Sequence, residues 1–93
     1  MAVVYKYPLV VTDRQLVTMP KEAKILSVQV QNGAPYMWAL VNPENGTEEV
    51  PIRIHGTGHN IPDADRLAYI GTFQMPRYGL VFHAFLEQSL WRT

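Results

Sequence analysis

The chain has 93 residues, eight basic and eight acidic side chains, and no cysteine. This length makes one domain with a modest core, for which self-association is an added source of stability. The balanced charge gives no reason for nonspecific nucleic-acid or membrane-surface binding, and the missing cysteines exclude disulfides, thiolate zinc sites and a cysteine nucleophile.

No apolar run approaches the roughly 20 residues of a membrane-spanning helix, and Met1 to Lys6 lack the layout of a signal peptide. The chain therefore reads as intracellular. Val3 to Tyr7 is rich in β-formers and is stopped by Pro8, a first strand. Thr12-Asp13 signals a turn, and Arg14 to Met19 is a second strand with Leu16 and Thr18 on one face.

Lys24 to Gln31 alternates Leu26, Val28 and Val30 with Ser27, Gln29 and Gln31. Asn32-Gly33 and the β-rich run Ala34 to Val41 follow. Asn-Gly between two such runs predicts a two-residue hairpin turn, because both turn residues need positive φ. The implied register pairs Val30 with Pro35, Val28 with Met37 and Leu26 with Ala39 on one face. The other face pairs Gln29 with Tyr36, Ser27 with Trp38 and Ile25 with Leu40. Both faces are partly apolar, as in a central hairpin or one whose second face meets a partner; Tyr36, Trp38 and, in the tail, Trp91 are the interface candidates.

Glu48 to His55 alternates again, with Val50, Ile52 and Ile54 inward and Pro51, Arg53 and His55 outward. Pro51 cannot donate to a ladder, which places this strand at an edge. Asp63 to Leu67 has the character of one helical turn. Tyr69 to Met75 and Leu80 to Leu86 complete the strands, and 86–93 is a loosely docked tail. No 3.6-residue period is sustained. The expectation is a single all-β domain over 1–93, a small sandwich or barrel of six or seven short, mainly antiparallel strands with one short helical turn.

The stretch His55-Gly56-Thr57-Gly58-His59 is where chemistry gathers. On a helix, histidines four apart ligate one metal, but two glycines argue against a helix; His83, Asp63 and Asp65 are the remaining donors, and no metal or other cofactor is expected. Gly56-Thr57-Gly58 is either a nest of backbone N–H groups for an anion or a turn that needs positive φ. Neither a Walker loop nor a dinucleotide fingerprint is present. His55-Gly56-Thr57 has the form used by two-histidine phosphoesterases, but His83-Ala84-Phe85 lacks the second hydroxyl. No catalytic constellation is visible, so the reading is non-enzymatic. Arg53, His55, Gly56, Thr57, Gly58, His59, Arg66, Tyr69 and Arg77 are the candidate contacts to an anion or nucleotide.

Lys6-Tyr7-Pro8-Leu9, Trp38-Ala39-Leu40-Val41-Asn42-Pro43, Gly56-Thr57-Gly58-His59-Asn60-Ile61-Pro62 and Val81-Phe82-His83-Ala84-Phe85 occur in that order. In these motifs the chain resembles a family of small bacteriophage and prophage proteins, over about residues 5 to 86. The resemblance implies an accessory phage protein in the host bacterial cytoplasm, and it carries over no site residue. The function expected is that of a homo-oligomeric counter-defence binding protein that blocks a host protein or sequesters a small nucleotide signal. The alternatives are a structural or assembly protein of the virion and a phosphoester-cleaving enzyme.

Overall fold

A computed structural model describes residues 1–77 and 79–88. Among the described residues seven strands form, β1 (Val3–Pro8), β2 (Arg14–Pro20), β3 (Lys24–Gln31), β4 (Ala34–Val41), β5 (Thr47–Gly56), β6 (Leu67–Met75) and β7 (Leu80–Glu87). A single 3-10 turn, Ala64–Arg66, precedes β6. The strands make two antiparallel-paired sheets, ordered β1-β4-β3 and β2-β5-β7-β6, in a body of 39 × 35 × 16 Å. This is the expected all-β class.

The Asn-Gly hairpin forms as its chemistry requires, with φ of 53° at Asn32 and 81° at Gly33. Ser27 to Gln31 keep the expected partners, Trp38 to Ala34. Beyond Ser27 the register shifts: Ile25, not Leu26, faces Ala39, and Lys24 faces Leu40. The extra residue is a β-bulge at Leu26. It turns Ile25 onto the core and leaves Leu26, expected opposite Ala39, exposed. A second shift lies between Tyr69 and Gly71 in β6 and turns Ile70 toward the core. The two bulged strands meet where the sheets approach each other. There a Cβ on Gly71 would lie 3.7 Å from the Val28 backbone nitrogen, an ordinary van der Waals contact, so the two strands pass close beside each other.

The core lies between the sheets. Val28 and Met37 from one face Val17, Met19, Ile52, Ile54, Phe73 and Ala84 from the other, with Leu9 beside them. Period-2 alternation puts every one of these strand residues on an inner face. Leu16 and Thr18 share a face, the outer one, pairing with Pro51 and Glu49.

β5 is not an edge strand; it lies between β2 and β7. Pro51 is tolerated because β7 pairs with β5 only from Ile52 to Gly56. At Pro51 the β7 side of β5 has no ladder for a missing N–H to interrupt.

The position of β7 decides the path that follows. β7 is antiparallel to both β5 and β6, so β5 and β6 are parallel with β7 between them. Parallel strands require a crossover. The chain leaves β5 at Gly56, opposite Phe82, and must enter β6 at Leu67, opposite Glu87. That is a return of about 17 Å at ~3.4 Å per residue. Residues 57–66 make the return across the outer face of the sheet, since the core fills the inner one. His55, expected at the outward end of an edge strand, is therefore covered and is only 8 % exposed.

Candidate functional site

The crossover is pinned where it passes over β5. Arg53 Nη1 and Nη2 donate to the two carboxylate oxygens of Asp63 at 2.8 and 3.1 Å, and Nη1 also donates to Glu87 at 3.3 Å. Arg14, opposite Arg53 on β2, donates to both Glu87 oxygens at 2.9 and 3.1 Å. Two arginines on neighbouring strands would repel; two carboxylates, one from the crossover and one from β7, bind them together. The hydrogen bond from Arg53 holds the Asp63 carboxyl below its ordinary range, and the hydrogen bond from Arg14 does the same for Glu87. Gln88 N–H donates to the Arg66 carbonyl at 2.7 Å and fixes the far end of the crossover. Leu86 and Glu87 belong to β7 rather than to a tail. Trp91 lies outside the described residues.

Beneath this roof His55 faces His83 on β7 and packs beside Phe85, with ring centroids 6.1 Å apart. His55 Nε2 is buried without a hydrogen-bond partner. A buried orphan of this kind costs about 1–3 kcal/mol.

His83 is fully engaged. Its Nε2 lies 2.8 Å from Thr57 Oγ1, and its Nδ1 lies 3.0 Å from Thr72 Oγ1. Thr72 Oγ1 is in turn 2.6 Å from the Tyr69 hydroxyl, and Thr57 Oγ1 donates to the Val81 carbonyl at 3.4 Å. The partners fix one consistent direction. Tyr69 donates to Thr72, Thr72 to Nδ1, Nε2–H to Thr57, and Thr57 to Val81. The chain links β6 and β7 to the first residue of the crossover and is consistent with one His83 tautomer.

The glycine stretch itself is a tight turn. Thr57 N–H donates to the Val81 carbonyl at 3.2 Å and His59 N–H to the Gly56 carbonyl at 3.2 Å. Two of the N–H groups that an anion nest would use are thus engaged within the protein. Gly58 sits at φ 87°, where a side chain would be strained. The His59 ring folds back over Gly56, where a Cβ would come within 3.1 to 3.4 Å of three ring atoms.

This turn and the start of β7 frame a cleft of about 480 Å³, lined by Gly56, Thr57, His59, Gly79, Leu80, Val81 and Phe82. Leu80 and Phe82 supply an apolar wall, His59 and Thr57 the polar rim.

Of the candidate contacts, the cleft gathers Gly56, Thr57 and His59. Gly58 is the turn residue between the last two. Arg53 is tied to two carboxylates, and His55 lies under the crossover. Arg66 is exposed in the 3-10 turn, Tyr69 is exposed on β6, and Arg77 is exposed in the turn before Gly79. Leu80 and Phe82 were absent from the candidates because a strand's apolar alternation reads as core whether or not a cleft borders it. His83 joins the network through the β5–β7 pairing, which no local pattern signals.

Among the described residues, no three His, Asp or Glu side chains gather as metal donors. Nor is any helix among them long and apolar enough to cross a membrane. Tyr36 and Trp38 lie together on the outer face of β4, ring centroids 6.2 Å apart, with Lys6 Nζ 4.6 Å above the Tyr36 ring.

One family model, Domain of unknown function (DUF7352), matches residues 1–91. No curated protein and no solved structure matches the chain.

Proposed function

We propose, for a chain that belongs to the DUF7352 family, a non-enzymatic binding function: it is a phage accessory protein that sequesters a small nucleotide in the cytoplasm of a bacterial host. The observation that carries this reading is the cleft of about 480 Å³ beside the Gly56–His59 turn. Its size is that of small-molecule sites, about 300–1,000 Å³, and its make-up is theirs too: apolar walls with a few polar groups that orient the ligand. The exposed Leu80 side chain and the half-buried Phe82 offer a base an apolar surface. His59 and Thr57 offer hydrogen bonds to its edge or to a sugar hydroxyl. A pocket walled by a turn and a strand end, both backbone-bonded, is pre-formed and loses little entropy on binding.

The test is a thermal-shift panel of mono-, di- and cyclic nucleotides, followed by calorimetry on any that raise Tm. The expected result is a saturable shift with one nucleotide class, abolished by Leu80→Asp and weakened by His59→Ala. If no nucleotide shifts Tm, or if Leu80→Asp binds as wild type, sequestration in this cleft is wrong.

A further inference from the structure

The strand edges of the two sheets are managed unequally. β3 and β6 close on each other at the Val28–Gly71 contact. β2 carries charge and a terminal proline: Arg14 is bonded to Glu87, Thr18 bonds Glu49, and Pro20 ends the strand. Such charges and prolines are how sheet edges avoid pairing with other chains. β1 shares the terminal proline, Pro8, but its span from Val3 to Tyr7 presents no outward charge. It pairs with β4 alone, in unbroken register from Val3 to Pro8. Its one charge, Lys6, turns back across its own sheet, where Nζ donates to Gln31 at 2.8 Å and sits over the Tyr36 ring.

The exposed apolar residues of β1 lie on both faces. Val4 shares the outer face with Leu40 and is 53 % exposed; Val3 and Tyr5 point to the inner side and are 37 % and 43 % exposed. A ligand lying on one face would cover only half of them. A strand added in the plane of the sheet covers both sets at once. We propose that β1 is a self-pairing edge and that a second copy of this chain docks there, antiparallel, to make a continuous six-stranded sheet.

The occupant follows from charge and pattern. The chain has no net charge, and the edge presents no outward charge for an acidic or basic partner to match. The strand that fits must be flat, bulge-free and largely apolar on both faces, and β1, whose one charge is tied back to Gln31, is itself such a strand. A two-fold axis at Tyr5 sets Val3 of one copy opposite Tyr7 of the other, and Val4 opposite Lys6. The two lysines are never opposed, and the tyrosines meet at the axis. The interface is isologous and closes at two copies.

The experiment is light scattering with size exclusion at micromolar concentration on wild type, Val4→Lys, Tyr5→Lys and Leu16→Lys, each checked for fold by circular dichroism. Wild type and Leu16→Lys, which alters the guarded β2 edge, are expected as dimers. Val4→Lys sets a new charge against Lys6, and Tyr5→Lys sets two charges against each other at the axis; both are expected as folded monomers. Amide exchange gives an independent reading: the β1 amides that do not pair with β4 are slow in wild type and fast in Tyr5→Lys. A monomeric wild type, or a Tyr5→Lys variant that remains dimeric with those amides still slow, overturns the proposal.

Discussion

The two sheets present their outer faces to very different surroundings. On the four-stranded sheet the outward residues Arg53, His55 and Phe85 lie under the crossover or beside it, and Arg53 keeps only 13 % of its side chain exposed. On the three-stranded sheet Tyr36 and Trp38 are half-buried among themselves and Lys6, while Leu40 and Val4 lie open. The alternation of residues along the strands is equally regular in both. The difference is in the connection that follows. After β4 the chain passes through a short turn to the other sheet; after β5 it must return over its own sheet to reach a parallel strand. An outer face becomes a second interior when topology lays chain across it, and polar residues can then be buried there if they find partners.

Cutting the pin of that roof should erase the contrast. Arg53→Met leaves Asp63 unmatched and removes one of the three hydrogen bonds to Glu87, and is expected to give the largest loss of stability of the variants considered. Urea unfolding measures it, and the variant should also free His55 for faster exchange of its neighbouring amides. A loss below about 0.5 kcal/mol would mean the crossover holds without its pin.

His55→Leu sharpens the comparison from the other direction. An apolar side chain of similar bulk removes the orphaned Nε2 from beneath the roof, so stability should rise by about 1–2 kcal/mol. Destabilisation on the same scale would show that the imidazole has a bound water or other partner there.

Acid should loosen the roofed face first. Asp63 and Glu87 are held below their unfolded pKa by arginine hydrogen bonds. Their contribution is therefore complete above the ordinary carboxylate range near 4. It is lost as pH falls through the depressed folded values. The drop in Tm below about pH 4 should be shallower in Arg53→Met than in wild type, and parallel curves would remove these pairs as its cause.

The smallest effect belongs to the open face. Trp38→Thr, on an uncovered surface with a β-branched replacement, should change stability by under about 1 kcal/mol. A larger loss by urea unfolding would show that the aromatic pair with Tyr36 is part of the packed structure.

Much of the architecture was legible before any coordinate. The strands Val3–Tyr7, Arg14–Met19, Lys24–Gln31, Ala34–Val41, Glu48–His55, Tyr69–Met75 and Leu80–Leu86 each lie within two residues of an observed strand at either end, and a helical turn lies near Asp63. Alternation and punctuation by glycine, proline and asparagine are local properties, and local rules govern them. The bulge at Leu26 was not legible. It depends on how β3 meets β6 across the seam, and an alternating run carries no mark of the residue at which its partner slips.

The histidine-glycine stretch shows the same division at one site. Its residues determined that the chain must turn after His55, that Gly58 takes a positive φ, and that no helix would set His55 and His59 on one face. Tertiary pairing alone decided that His55 is buried, that His83 bonds Thr57, and that Arg53 is bound by Asp63 ten residues on. The reason is the order β5-β7-β6. β7, which follows β6 in the chain, takes the place between β5 and β6, and by doing so converts an ordinary loop into a crossover. Pair energies between distant strands select that order, and no window of adjacent residues contains them.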